Sequence, residues 1–274
     1  MQNEALANVL GDRDDYNHKV MHPSSIGFCG RKNILSAGHL FPNGRVPKIL
    51  PKSKGQNAPM LFGTLIHKLA PHIFYGKLDV ATFLNILVQE GAKLPKKPIV
   101  AMTEEERAQT DTYLKLISDF TSQMNPHVEF EPTFQFEIEG LPFEAHFDIL
   151  DRPKQRIIDL KTSGSYKPLT SPDSRYLYDA YMMQLHTYYL ACLQHNIPIT
   201  KLELWVIKKG AKNLEDLFEI ISVEPSAKYV DMVKEKVKMM KSKPWMDISC
   251  DGIPKWECSG CRFEELCIGK VEFR

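Results

Sequence analysis

Ile157-Ile158-Asp159-Leu160-Lys161-Thr162-Ser163 alternates apolar and charged side chains with the two-residue period of a β-strand. Ile158 and Leu160 fall on one side of it, Asp159 and Lys161 on the other, so a carboxylate and an ammonium project together. A second carboxylate, Asp148, stands eleven residues upstream, in a segment that reads as the neighbouring antiparallel strand. There Phe143, Ala145, Phe147 and Ile149 share one face, and Glu144, His146 and Asp148 share the other. Two carboxylates side by side repel unless a cation sits between them, and hard oxygen ligands suit Mg²⁺ or Mn²⁺. A lysine beside such an ion can orient or deprotonate water, or stabilise charge on a phosphate. Taken alone, Asp-x-Lys also describes an ordinary surface charge pair.

Working outward, Val128 to Glu139 alternates loosely, and Gly140 allows a turn before Phe143. A Ser/Gly/Pro-rich loop, 163–174, follows the Asp-x-Lys strand, and a helix is predicted over about 177–194. Leu202 to Ile207 and Leu217 to Val223 read as two further strands, and Ala227 to Lys241 as a basic amphipathic helix. Upstream, 41–59 is rich in Gly, Pro, Lys and Asn and reads as a long loop. Phe62, Leu65, Ile66, Leu69 and Ile73 give 60–74 helical spacing, and Thr103 with Glu106 caps a helix over 103–124. Strands ahead of a helix, strands after it and helices at either end predict an α/β fold with a mixed central sheet.

The chain has 274 residues, with 35 basic against 34 acidic side chains and 43% hydrophobic content, as in an ordinary soluble globular protein. Its charge is uneven: residues 1–100 carry 13 basic and 6 acidic groups, and 101–150 carry 2 and 11. A protein basic all over is excluded, whereas a local basic groove is not. No apolar run approaches the roughly 20 residues that span a bilayer. The polar N-terminal stretch resembles neither a secretory signal nor a transit peptide, so the expected location is the cytoplasm, with no membrane partner.

Two pairs at helical spacing add to the carboxylates. Gly63 and His67 lie one turn apart, which sets His67 above a bare backbone patch where a ligand can approach. Gln184 and Tyr188 lie one turn apart on the helix after the Asp-x-Lys strand. In this order GTLIH (63–67), HFDIL (146–150), IIDLKTS (157–163) and QLHTY (184–188) resemble the RecB-like branch of the PD-(D/E)XK nuclease superfamily. The resemblance implies a restriction-endonuclease-like core, a mixed central β-sheet flanked by helices. It also implies that His67, Asp148, Asp159 and the Leu160 carbonyl bind the catalytic Mg²⁺ or Mn²⁺. Lys161 would be catalytic, and Gln184 and Tyr188 would support the site and the DNA backbone. One departure is visible: Ala145 stands where the family often has glycine three residues before the second-motif aspartate.

Six cysteines complete the motif set. Cys258-Ser-Gly-Cys261 is followed by Cys267, with Cys250 eight residues ahead of Cys258 and Cys29 near the other end. In a cytosolic chain this pattern argues for metal rather than disulfides, and thiolate-only sites select zinc or an iron–sulfur cluster. Cys250 would complete a local zinc knot; Cys29 would tie the two chain ends together. The resemblance favours the second. CRISPR-adaptation nucleases and AddB-type helicase–nuclease subunits carry one cysteine before the nuclease motifs and three after, holding a [4Fe–4S] cluster. Cys29, Cys258, Cys261 and Cys267 would be its ligands here, with a structural role and Cys250 spare. Cys192 continues the apolar side of its helix and reads as core.

The expected organisation is a single nuclease domain over 1–274, with 24–60 and 244–274 forming the cluster-bearing lobe and 80–128 a helical insertion. The expected activity is metal-dependent hydrolysis of DNA phosphodiesters, as an exonuclease on single-stranded or frayed ends. A recombination, repair or CRISPR protein is the expected partner besides DNA, and a phage, CRISPR or repair setting the expected context. The alternative is a nuclease-fold DNA-binding or scaffold protein acting through a partner. Candidate phosphate contacts are Arg31, Lys32, Lys48, Lys52, Lys54, Lys93, Lys96, Lys97, Lys208 and Lys209. Tyr166, Tyr176 and Tyr178, with Lys167 among them, are candidates for stacking on unpaired bases.

Overall fold

A computed structural model of the protein describes residues 20–37, 40–41, 67, 128–163, 167–208, 218–259, 261 and 263–267. The helices expected over 60–74 and 103–124, the loop over 41–59 and the insertion over 80–128 lie outside these residues, save Phe41, His67 and Val128. His67 is helical, as expected.

Two short helices open the described chain, α1 (Pro23–Ile26) and α2 (Gly30–Ser36). Strands β1 (Glu129–Phe130), β2 (Thr133–Ile138), β3 (Leu141–His146), β4 (Ile149–Asp151) and β5 (Arg156–Ser163) follow. The long helix α3 (Arg175–Gln194) leads to β6 (Lys201–Lys208) and β7 (Phe218–Val223). Helices α4 (Ala227–Ser242), α5 (Lys255–Ser259) and α6 (Glu264–Cys267) end it.

Five strands form one sheet in the order β1-β4-β5-β6-β7, and β2 pairs with β3 as a separate ribbon. Among the described residues only the β5–β6 pair of this sheet is parallel and its other pairs are antiparallel, so the sheet is mixed as expected. The parallel pair is joined through α3, the crossover such a pair requires. The five-stranded sheet is buried on both faces around β5. Ile157 joins the core beneath α3, whereas Ile158 and Leu160 pack with Val128, Ile149 and Trp205 on the opposite side. Asp159 and Lys161 therefore share the α3 side with Ile157.

The two upstream strands each break in two. Glu131 adopts φ +50°, followed by Pro132, and the opposite chain turns at Phe147-Asp148. Glu131 N–H donates to Asp148 O and Phe147 N–H to Pro132 O, both at 3.1 Å, so the bends lock together. Below the bend β1 and β4 belong to the main sheet, and above it β2 and β3 peel away. Glu139 (φ +51°) and Gly140 (φ +72°) form the two-residue turn of that ribbon, with both central residues left-handed.

Helix α3 is enclosed along most of its length, with Met182, Leu185, His186, Ala191 and Cys192 fully buried. Cys192 is the core residue its spacing predicts, and burial pushes its thiol up to about 12. At Gly27 the chain after α1 crosses α3 so closely that a Cβ there would lie 2.2 Å from Ala180 O. Helix α4 turns Val233, Val237 and Met240 inward at helical spacing. No helix among the described residues is long and apolar enough to cross a membrane.

Candidate active site

The parting of β3 from the sheet exposes an edge of β5. Pairing of β4 with β5 ends at Ile149↔Ile158, and the chain that would have continued it swings off with β3. Asp148 stands at the fork. Its Oδ2 accepts the Leu160 N–H at 2.7 Å, taking the place of the missing strand. Its Oδ1 lies 2.7 Å from His67 Nδ1. The simple alternation that sets Asp148 on the face of Glu144 and His146 does not survive the bend: Glu144 and His146 stay on the ribbon, and Asp148 turns to β5.

Asp159 is 1% exposed and faces α3. Gln184 Nε2 donates to Asp159 Oδ1 and to the Tyr188 hydroxyl, both at 3.0 Å. Lys161 Nζ lies 2.5 Å from Asp159 Oδ2 and 5.2 Å from the centroid of the Tyr181 ring. The structure thus brings together His67, Asp148, Asp159, Lys161, Gln184 and Tyr188. It adds Tyr181, which the motifs passed over although it lies three residues before Gln184 and so shares its helix face.

Electrostatics tie the group into one unit. Burial and the nearby Asp148 push Asp159 up to about 6, against the pull of Lys161. Burial would also raise Asp148, but His67, Lys161 and the Leu160 N–H hold it below the usual carboxylate range. Burial would lower His67, yet the Asp148 carboxylate raises it. Lys161 is raised in spite of burial by the same two carboxylates, so it is an ammonium at neutral pH.

Residues 41–268 match the sequence profile of the PD-(D/E)XK nuclease superfamily. The chain belongs to that superfamily. No curated protein matches the nuclease in sequence. Among solved structures, a protein from Eubacterium rectale named as an exonuclease is similar at 14% identity and a TM-score of 0.51, over 84% of this chain and 85% of its own. The protein SSO0001 aligns over 98% of this chain and 95% of its own, at 15% identity and a TM-score of 0.42. A phage-related exonuclease from Haemophilus somnus aligns over 81% and 92%, at 9% identity and a TM-score of 0.39.

The nuclease also joins residues 29–31 to residues 246–257. Arg31 donates to Ile248 O at 2.7 Å and to Met246 O at 2.9 Å. The Cys29 N–H donates to buried Glu257 Oε1 at 2.8 Å, and the Tyr176 hydroxyl donates to Glu257 Oε2. None of the six cysteines is in a disulfide. Burial raises the Cys250, Cys258 and Cys267 thiols, Cys267 to about 11, and in each case Cys29 adds to the effect from nearby. Cys250, spare in the motif, belongs to this group and lies near Cys29. Cys261 Sγ accepts the N–H of Phe263, which is fully buried between the last two cysteines.

The structure corrects one expected DNA contact, Lys208, and gives partners to others. Lys208 is 7% exposed and pairs with Glu219 at 2.9 Å, because β6 and β7 close around it. Arg31 spends two nitrogens on backbone carbonyls, and the Tyr176 hydroxyl is committed to Glu257. Lys167 pairs with Asp173. Lys32 is exposed, and Tyr178 is half-buried beside Arg175. Lys48, Lys52, Lys54, Lys93, Lys96, Lys97, Lys209 and Tyr166 lie outside the described residues.

Proposed function

We propose that this nuclease is a divalent-metal-dependent DNA exonuclease acting on single-stranded or frayed ends. The observation that carries the reading is the forked sheet, which sets Asp148 and Asp159 against one another with Lys161 and His67 beside them. Two buried carboxylates with an imidazole and a backbone carbonyl make a donor set for Mg²⁺ or Mn²⁺. Asp159 Oδ2 fits that set: it is a buried carboxylate oxygen whose partner among the described residues is the Lys161 ammonium, 2.5 Å away. The Leu160 carbonyl fits as well. In a strand the N–H and C=O of one residue point to the same edge, so the carbonyl faces the side on which Asp148 meets the Leu160 N–H.

In this reading His67, Asp148, Asp159 and Leu160 O hold the ion. A divalent cation so placed supplies Lewis acidity and makes water a stronger acid. Lys161, kept cationic, steadies the charge that develops on a phosphate oxygen. Gln184 fixes the Asp159 carboxylate by its hydrogen bond, and Tyr188 fixes Gln184. The test is digestion of 5′- and 3′-labelled single- and double-stranded DNA with Mg²⁺ or Mn²⁺ and an EDTA control. End-dependent loss of label that vanishes with EDTA and with Asp159→Ala is expected. Activity undiminished in Asp159→Ala would sink the assignment.

We further infer that residues 24–60 and 244–274 form one lobe of a single-domain protein, and that Cys29, Cys258, Cys261 and Cys267 hold a [4Fe–4S] cluster in it. Support comes from the mutual approach of the cysteines and from Arg31 and Cys29 bonding to the C-terminal segment. Iron and acid-labile sulfide in anaerobically purified protein are the expected result; stoichiometric zinc without iron would overturn it.

A further inference from the structure

The β2–β3 ribbon carries a second cluster of ligand-type side chains, apart from the forked sheet. Glu144 and His146 are two residues apart on β3 and so share a face. Residue Met21 forms a parallel bridge with Phe143. Its N–H donates to Pro142 O and its carbonyl accepts from the Glu144 N–H, both at 2.9 Å. Residues opposite one another in a parallel bridge point the same way. Met21 therefore enters the core with Phe143, and His22 emerges with Glu144. On the other flank β2 sets Gln135 opposite Glu144 and Thr133 opposite His146.

Sheet geometry alone thus brings five polar side chains to one face, and the inner three converge. His22, Glu144 and His146 each offer one ligand atom, all within 4.8 Å of one another. His146 Nε2 lies 2.8 Å from Glu144 Oε1, and the His22 and His146 rings stack at 5.5 Å between centroids. The outer two support them. Thr133 Oγ1 is 3.2 Å from His146 Nδ1, which leaves Nε2 as the inward-facing nitrogen. Gln135 Nε2 donates to Glu144 Oε2 at 3.4 Å.

We propose that His22, Glu144 and His146 form a second metal site, for a transition ion of the Zn²⁺ class. Two imidazoles and one carboxylate are borderline ligands that select Zn²⁺ over Mg²⁺ or Ca²⁺. Hydrogen bonds behind a ligating histidine and a ligating carboxylate are what such sites use to orient their donors. His22 is 4% exposed while the His146 side chain is 52% exposed, so the site has a buried floor and an open mouth through which an ion and its water can enter. The ion would strap residues 20–22, which lead straight into α1 and Cys29, to a ribbon more than a hundred residues away in sequence. It would act as a clamp on the N-terminal segment, and the fork at Phe147 keeps it separate from Asp148.

The test is a titration of the full chain, labelled with ¹⁵N histidine, with Zn²⁺ alone. The ring-nitrogen resonances of His22 and His146 are expected to shift together and saturate within a few equivalents. His146→Gln, at an exposed position, should abolish the His22 shift, and Glu144→Gln should do the same. Thr133→Val should weaken the ion by about 10-fold, since it removes only a supporting hydrogen bond. His22 and His146 resonances that stay put while Zn²⁺ binds elsewhere would overturn the proposal. So would a His22 shift that persists in both His146→Gln and Glu144→Gln.

Discussion

Asp148 Oδ2 and the Leu160 N–H are 2.7 Å apart, so a side chain completes the hydrogen bonding of β5 where the neighbouring strand has left. The carboxylate is thus both a strand cap and, in the proposed function, a metal ligand. Two substitutions separate these roles. Asp148→Asn retains an acceptor for Leu160 and removes the charge, and is expected to lose cleavage and Mn²⁺ binding with little change in melting temperature. Asp148→Ala also leaves the amide unsatisfied and should cost a further 1–3 kcal/mol or so, about the desolvation penalty of an orphaned buried donor. Paired thermal melts and calorimetric Mn²⁺ titrations measure the difference. Identical melting of the two variants would mean that Leu160 has another partner.

Gln184 divides its amide between Asp159 and Tyr188, at 3.0 Å each. A hydrogen bond to a buried charged group is worth about 1.5–3 kcal/mol. Gln184→Met keeps the volume and removes the donor, so activity is expected to fall about 10- to 100-fold, which is that range converted at 1.4 kcal/mol per decade. Tyr188→Phe leaves the Gln184–Asp159 bond in place and should have the smaller effect. Rates measured on one labelled substrate at saturating Mn²⁺ rank the two. A Tyr188→Phe defect as large as that of Gln184→Met would mean that the tyrosine acts on its own.

Much of this site is legible in the sequence because its members are tied by short periods. Asp159 and Lys161 share a strand face by the period of two, and Gln184 and Tyr188 share a helix face by the period of 3.6. What is not legible depends on partners distant in the chain. The fork that turns Asp148 away from Glu144 and His146 arises from Glu131 and Pro132 on the opposite strand. Lys208 reads as a free cation until β7 brings Glu219 to it, and Tyr176 reads as a stacking residue until α5 brings Glu257. The apposition of Met21 with β3, which brings His22 to Glu144, spans more than a hundred residues and leaves no local pattern.

The approach of Gly27 to Ala180 sets how closely the N-terminal segment docks on α3. A Cβ at 27 would lie 2.2 Å from Ala180 O and 2.6 Å from Ala180 Cα, and backbone atoms in a buried helix have little room to yield. Gly27→Ala is therefore expected to destabilise the protein by about 1–3 kcal/mol, the usual cost of overpacking. The strain falls at Gly27, just after α1 and two residues before Cys29, so iron retention should decline with it if the cysteines hold the proposed cluster. Melting temperature and iron content of the variant check both. A variant as stable as the parent would show that α1 can shift away from α3 at no cost.

His186 supplies a pH-sensitive brace between α3 and α4. Its ring is fully buried, with Nδ1 donating to Met182 O at 2.7 Å and Nε2 accepting the Ser226 N–H at 2.9 Å. That accepting role requires the neutral ring. Burial lowers its pKa, the Met182 carbonyl opposing only in part. A folded-state pKa below the unfolded one means that the unfolded chain binds more protons between the two values, so stability rises with pH across that window. The contribution is complete above the unfolded value of about 6.5 and is lost as pH falls toward the folded one. Melting temperatures between about pH 8 and about pH 5 should therefore drop, and part of the drop should disappear in His186→Leu. That variant should also melt lower at pH 8, since the Ser226 N–H loses its acceptor at a cost of about 1–3 kcal/mol. An unchanged pH slope in His186→Leu would assign the acid sensitivity to other groups.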